Sequence, residues 1–371
     1  MPAKTCFAYP NCPLAFSETF IQNQRDRLAW DTFLCHSHYP CLDKNGKPVL
    51  GFPFNNLYLR GIFKRIDLKT YEKYYTQQLA YFLQKNQIGL VFAEYGPTGA
   101  NMVESCQLTK TKLVVHFHGF DAFHKGTLEK YREKYLRIWQ YASRVVVVSK
   151  DMEKQLVSLG AKAEKLVYNP YGIDTQFFTG ANPAQNSPLF VAVGRFTPKK
   201  APQNTLQAFA QVLKYCPEAR LQMIGKGELW ESCIKLAQKL GITDKVTFSG
   251  VGNPTEVRAA LLKARAFVQH SVTAPNGDSE GTPNSILEAS AMGLPIVSTR
   301  HAGIKEAVID QETGFLVQEH DIEAMAEKML ILAQNPTLAQ TLGKRGQEHI
   351  RTNYDLTKRL EYLWQIVQNA Y

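Results

Sequence analysis

Two doubly wound α/β domains are the architecture this sequence predicts, and three observations carry the prediction. Short apolar runs alternate with longer amphipathic ones, the pattern of repeated βα units and parallel sheets. The alternation breaks once, at the Gly-, Pro-, Asn- and Ser-rich stretch 180–188 (GANPAQNSP), and then restarts. At 371 residues the chain is also long for a single hydrophobic core. The expected division is 1–180 and 181–352, two Rossmann-like domains facing across a cleft, with a terminal segment 353–371.

In the first half, GLVFAEY (89–95), KLVVHFH (112–118) and SRVVVVS (143–149) read as buried strands, being short, apolar and rich in valine. Helices are expected over 67–86, 126–142 and 150–159, the last capped by Ser149. After the linker, strands are expected in PLFVAVG (188–194), ARLQMIG (219–225), DKVTFSG (244–250), ARAFVQH (264–270) and LPIVST (294–299). Helices fall over 202–215, 228–240, 254–263, 284–292, 321–334 and 336–350. The final run, 355–370, spaces Leu356, Leu360, Leu363, Ile366 and Val367 as one helix face. Ligands of such sheets sit beyond the carboxyl ends of strands, so the chemistry is expected just after these runs.

Bulk properties narrow the function. Hydrophobic content of 44% and charged content of 20% exclude a disordered chain. No run approaches the ~20 apolar residues of a spanning helix. No apolar segment of a secretory signal follows Lys4, so a cytoplasmic location is expected. Seven scattered cysteines fit reduced thiols. The cluster Cys35, His36, His38 and Cys41 is either a metal site or a polar loop, and its spacing matches no common zinc module. Of the net charge of +10, residues 1–180 carry +8 (23 basic, 15 acidic) and the remainder +2 (20 basic, 18 acidic). Nucleic acid is not expected as the partner, because no helix-turn-helix, zinc-finger or RNA-binding signature is present. An anionic membrane or an acidic acceptor fits better. The stretch 60–85 mixes Ile62, Phe63 and Ile66 with Arg60, Lys64 and Arg65; it either lies on lipid headgroups or packs on the core with a solvated basic face.

The strongest motif is EGTPNSILEASAMGLPIVST, 280–299. Gly281, Thr282, Pro283, Asn284 and Ser285 lead into a helix whose free amides and positive dipole end suit a diphosphate. Glu288, a turn in, has the two acceptor oxygens that paired ribose hydroxyls require, and Glu280 would reach the sugar beyond. In VAVGRFTPKKAP (191–202), Gly194 permits close approach, while Arg195 and Lys200 would clamp diphosphate oxygens; Lys199 adjoins. Gly225 and Gly227 in MIGKGEL mark a tight turn. In HFHGFD (116–121), His118 is the candidate active-site imidazole, Asp121 its orienting partner, and His116 is assigned to the opposite face. Glu18 and Thr19 in SETF, Glu94 in FAEYGPTGANM and Asp121 form an acceptor-side set, with Ser17 as a helix cap.

The spacing Glu280…Glu288 and its surrounding string resemble the E-x7-E motif of glycosyltransferase family 4, the retaining nucleotide-sugar transferases of the GT-B fold. HAGIKEAVIDQETGFLV (301–317), with Gly303, Glu306 and Gly314, resembles the same family. So does the Gly-Arg…Lys-Gly phosphate pattern, from which this chain departs at Ala201. Glu94 stands where a histidine is common, and the terminal helix of relatives crosses back onto the first domain.

The resemblance implies transfer of a glycosyl group from a nucleotide-diphosphate sugar, UDP-sugar favoured, to an acceptor hydroxyl. Retention at the anomeric carbon and exopolysaccharide or colanic-acid-type biosynthesis are implied with it. The acceptor would be a saccharide or lipid-linked, with peripheral contact to anionic membrane. No Asp-x-Asp segment is present, so Arg195, Lys200 and the helix amides are expected to replace a divalent metal; no cofactor is expected. A nicotinamide oxidoreductase would need a G-x-G-x-x-G, which is absent. A non-catalytic sugar binder would have no use for Glu280, Glu288, Arg195, Lys200 and His118 together.

Overall fold

The computed structural model describes residues 4–10, 14, 18–35, 42–43, 65 and 68–371. Ser17, His36, His38 and Cys41 lie outside the described residues, as do Ile62, Phe63 and Ile66 of the basic stretch. The chain forms two compact units: residues 1–148, 152–169 and 360–371, and residues 149–151 and 170–359. The division falls at 169/170, ahead of the Gly180 linker. A backbone bridge from Ile173 to Asp355, with Thr175 Oγ1 donating to Asp355 Oδ2 at 2.8 Å, ties 170–180 to the second unit.

The first unit holds a seven-stranded sheet, made of β1 (Lys4–Tyr9), β2 (Thr32–Cys35), β3 (Leu42–Asp43), β4 (Ile88–Glu94), β5 (Lys112–His116), β6 (Arg144–Val147) and β7 (Leu166–Tyr168). Its order is β3-β2-β1-β4-β5-β6-β7, parallel throughout except for β3. The strands carry near-continuous apolar runs because helices cover both faces of a parallel sheet. Phe7, Trp30 and Phe92 form an aromatic core. Onto it the helix Leu356–Gln368 packs Leu363, Ile366 and Val367, with Trp364 edge-on to Trp30 at 5.0 Å. Its helical spacing was evident in the sequence.

The second unit holds six parallel strands: β8 (Leu189–Val193), β9 (Arg220–Ile224), β10 (Val246–Phe248), β11 (Ala266–Gln269), β12 (Ile296–Thr299) and β13 (Gly314–Val317). The order β10-β9-β8-β11-β12-β13 reverses direction between β8 and β11. Phe190, Leu206, Phe209, Val268 and Met325 fill its core. In the first unit the reversal lies between β1 and β4. Crevices at such switch points are where doubly wound sheets take ligands.

All eight strands expected from sequence form. The sequence does not predict β1, β2, β3, β7 or β13, nor the helices Thr19–Arg27 and Gly96–Thr109. The last of these contains Gly96, Pro97 and Gly99, residues of poor helix propensity. It forms because Pro97 sits in the first turn and tertiary packing overrides propensity: a Cβ at Gly99 would lie 2.7 Å from Val115.

Candidate functional site

In the second unit the expected residues converge at the strand ends of the switch point. A shallow, open hollow is lined there by Gly194, Arg195, Lys200, Thr205, Ile224 and Gln269. Gly225 makes this possible. It adopts φ +136°, and a Cβ there would lie 2.0 Å from the Gly194 carbonyl, so only glycine lets the two strand ends meet. The adjacent lysines separate cleanly. Lys199 is buried, ion-paired to Asp278 at 3.0 Å and donating to the Ser279 carbonyl at 3.2 Å. Lys200 instead pairs with Glu280 at 3.0 Å and lies 3.4 Å from Gln269 Oε1. Ala201, the departure from the family pattern, takes a left-handed φ of 37°, which accounts for a glycine preference at that point.

Glu280 is 5% exposed, and Ser271 Oγ donates to it at 3.3 Å. Burial pushes its carboxyl up, but the neighbouring Lys200 and Lys199 outweigh that and hold it at about 2. Burial also draws the Lys200 ammonium down, with Glu280 opposing. The helix Asn284–Ala291 follows Pro283, and no side chain caps its first turn. Ser285 Oγ donates to Gln269 Oε1 at 3.2 Å, and the buried Asn284 Oδ1 has no partner among the described residues. Desolvation pushes the Glu288 carboxyl up to about 7 against the pull of Lys200, although the residue is half-buried. Arg195 is exposed.

In the first unit, β4 and β5 end side by side and bring Glu94, His116 and His118 together. His118 Nε2 lies 2.5 Å and His116 Nδ1 3.4 Å from Glu94 Oε2. His116 therefore shares a face with His118. The assignment to the opposite face is corrected, and the reason is the strand period itself, which puts residues two apart on one side. Asp121 is corrected as well. Its carboxylate accepts the backbone N–H groups of His118 (2.8 Å), Gly119 (3.1 Å) and Gly96 (2.8 Å), so it fixes the loop rather than the imidazole. Glu94 is the carboxylate that holds the ring. It is fully buried, and although burial pushes it up, His116 and His118 keep it at about 2. Burial lowers the His116 imidazole.

These three residues each offer one ligand atom, all within 4.8 Å of one another. Tetrahedral ligands at zinc bond lengths sit about 3.3 Å apart. The 2.5 Å contact between Glu94 Oε2 and His118 Nε2 is shorter than that spacing and is a hydrogen bond to an ionised carboxylate. Glu18 is buried and accepts from Tyr95 Oη at 3.2 Å, while Thr19 is exposed at the start of its helix. Glu18 stands at the cap position of that helix, without a side-chain cap hydrogen bond; the expected cap Ser17 lies outside the described residues.

Sequence reasoning missed Gln269, which joins Lys200 to Ser285, and the pair His301–Glu319 behind the Glu280 loop. These are polar contacts between residues far apart in the chain, and they leave no periodic or spacing signal.

Two family models match, Glycosyltransferase Family 4 over residues 33–177 and Glycosyl transferases group 1 over residues 174–349. The chain is 30% identical over 270 residues to WcaL of Escherichia coli, described as a colanic acid biosynthesis glycosyltransferase; the match covers 71% of this chain and 66% of WcaL. It is 32% identical over 253 residues to the amylovoran biosynthesis glycosyltransferase AmsK of Erwinia amylovora, covering 67% and 61%. The chain thus spans just under two thirds of these relatives. Among solved structures, HepE of Anabaena bound to UDP and glucose superposes with a TM-score of 0.75 at 15% identity, covering 99% of each chain. Sucrose-phosphate synthase of Thermosynechococcus elongatus gives 0.75 at 19%, covering 99% and 98%. Likeness at this identity shows the fold, the two-domain α/β GT-B type.

Proposed function

The chain belongs to glycosyltransferase family 4, and from that premise we propose that it transfers a sugar from a nucleotide-diphosphate sugar to an acceptor hydroxyl in polysaccharide or glycolipid biosynthesis. The observation that carries this reading is the ion pair of half-buried Lys200 with buried Glu280, beside the side-chain-uncapped helix Asn284–Ala291, at the switch point of the second sheet. Cations and free amides favour a diphosphate, and a carboxylate held ionised beside them favours sugar hydroxyls. UDP is the favoured nucleotide, by analogy with HepE; the GDP-mannose-dependent relatives, such as the mannosyltransferase of Mycolicibacterium smegmatis, make GDP the alternative.

In the proposed reaction the bond from the anomeric carbon to the diphosphate oxygen breaks while the acceptor oxygen bonds to the same face. The acceptor's proton passes to the departing phosphate. Arg195, Lys200 and the helix amides stabilise the charge that develops on the diphosphate. Glu280 binds the sugar, Glu288 the ribose, and His118 is the first unit's proposed contribution. None of these groups requires a divalent ion, so turnover should survive a strong chelator. Proton NMR of the product, made with chelator present, should show the donor's anomeric configuration retained. An inverted product, or activity abolished by chelator and restored by magnesium or manganese, would contradict the mechanism.

The charge of +8 on residues 1–180 supports an acceptor on an anionic membrane surface. The protein should then co-sediment with vesicles containing anionic lipid, be released by high salt, and ignore neutral vesicles. Equal binding to both kinds, or to neither, would remove the membrane from the account.

A further inference from the structure

The carboxylate assigned to the donor sugar does not hold itself in place. Glu280 lies in the irregular segment after residue 278, and its backbone is gripped from the segment that follows β12. His301, 3% exposed, places Nε2 at 3.2 Å from the Glu280 backbone nitrogen and 3.0 Å from Ser279 Oγ. Its other ring nitrogen, Nδ1, lies 2.6 Å from Glu319 Oε1. The second oxygen of Glu319 accepts the Thr273 N–H at 2.8 Å, which fixes the carboxylate in turn.

The chemistry of these atoms assigns the tautomer. A backbone N–H can only donate, so His301 Nε2 must accept, and the ring proton sits on Nδ1, directed at Glu319. Burial pushes the Glu319 carboxyl up, yet the Thr273 amide and His301 hold it below the usual range, as an acceptor must be. A second tie lies one residue on. Gly303 N–H donates to the Gly281 carbonyl at 3.0 Å, and a Cβ at 303 would sit 2.5 Å from that oxygen. The backbone on either side of the Glu280 α-carbon is thus anchored to 301–303, and its side chain to Lys200 and Ser271.

We propose that His301, locked in its Nδ1–H tautomer by Glu319, is a positioning residue that holds the Glu280 loop in the geometry needed for the donor sugar. The proposal rests on the reading of Glu280 as the sugar-binding carboxylate. It predicts a division of labour: His301 should matter for the sugar end of the donor and not for the nucleotide end, which Glu288 and Lys200 serve.

The test uses the full chain and three readouts. In His301→Ala, amide hydrogen exchange at Glu280 should accelerate at least tenfold. Turnover of the donor that the wild type uses, chosen from a panel of UDP-, GDP- and ADP-sugars, should fall 10- to 100-fold in kcat. Affinity for UDP, GDP or ADP alone, whichever matches that donor, should stay within twofold. His301→Gln, whose amide oxygen can occupy the Nε2 position and accept from Glu280, should recover most of the turnover. Asparagine, one bond shorter, should not. If His301→Ala fails to fold, the Gln and Asn variants decide the matter. Glu280→Ala tests the underlying reading separately. A Glu280→Ala protein with normal turnover would overturn that reading. An inactive Glu280→Ala beside a His301→Ala or His301→Asn protein of normal turnover would overturn the positioning role alone. Equal loss of nucleotide and sugar binding would make His301 a merely structural residue and contradict the proposal.

Discussion

Lys200→Ala is expected to lose both turnover and stability, and the two losses should be separable. Lys200 is the partner of a carboxylate only 5% exposed, and Lys199 cannot take its place because it is committed to Asp278 at 3.0 Å. Removing one member of a buried pair leaves an uncompensated charge and costs about 3–5 kcal/mol. For a unit of this size that is a drop of roughly 10 °C in melting temperature.

The pH dependence follows with a definite sign. In the wild type the folded-state value of Glu280, about 2, lies below its ordinary value of 4.5. The pair's contribution is therefore present above pH 4.5 and is lost as pH falls through about 2. Without Lys200 the carboxyl should hold its proton well above that range. Adding Glu280→Gln removes the stranded charge, so the double variant should regain most of the melting temperature. Turnover should not return, because a cation has been taken from the leaving diphosphate, a loss on the order of 10²–10³ in kcat. Lys200→Ala with kcat within a few-fold of wild type would remove the lysine from the leaving-group site.

The sequence made the scaffold legible to the extent that burial is periodic. The strands β4, β5, β6 and β8 announce themselves because both faces of a parallel sheet are covered, which leaves short valine-rich runs. The helix Gly96–Thr109 was hidden because its glycines answer to the space beside Val115 and not to helix propensity. Strand β1 was hidden by its neighbours: Pro10, Cys12 and Pro13 follow Lys4–Tyr9 so closely that the segment reads as a turn.

The site divides the same way. Glu280, Glu288, Arg195 and Lys200 were legible because each stands at a fixed offset from a strand end or helix start. The roles of Glu94 and Asp121 were not. Whether a carboxylate faces an imidazole or a row of backbone amides depends on how β4 and β5 end in three dimensions. His301 and Glu319 lie 21 and 39 residues from the loop they support, and no pattern in the chain links them.

The second large effect concerns Glu288, whose carboxyl desolvation raises to about 7. Its folded-state value lies above the unfolded 4.5, so its share of stability is complete below 4.5 and is lost as pH rises through about 7. Glu288→Gln should therefore raise the melting temperature of the unliganded protein at pH 8. Ribose hydroxyls reverse the balance, because they donate to the carboxylate and favour its charged form. Binding should then release a proton, and affinity should weaken about tenfold for each pH unit below 7. A nucleotide sugar suits this test better than free UDP, whose terminal phosphate titrates in the same range.

The most direct measurement is a calorimetric titration with UDP-glucose and GDP-mannose at pH 6 and pH 8, on wild type and Glu288→Ala. We expect saturable binding of at least one donor, tighter at pH 8 and accompanied by proton release. In Glu288→Ala it should weaken by about 1.5–3 kcal/mol at pH 8, the range for charge-assisted hydrogen bonds, and lose its pH dependence. Binding of neither nucleotide sugar, or binding that a folded Glu288→Ala protein retains in full at both pH values, would contradict the assignment of this unit as the donor site.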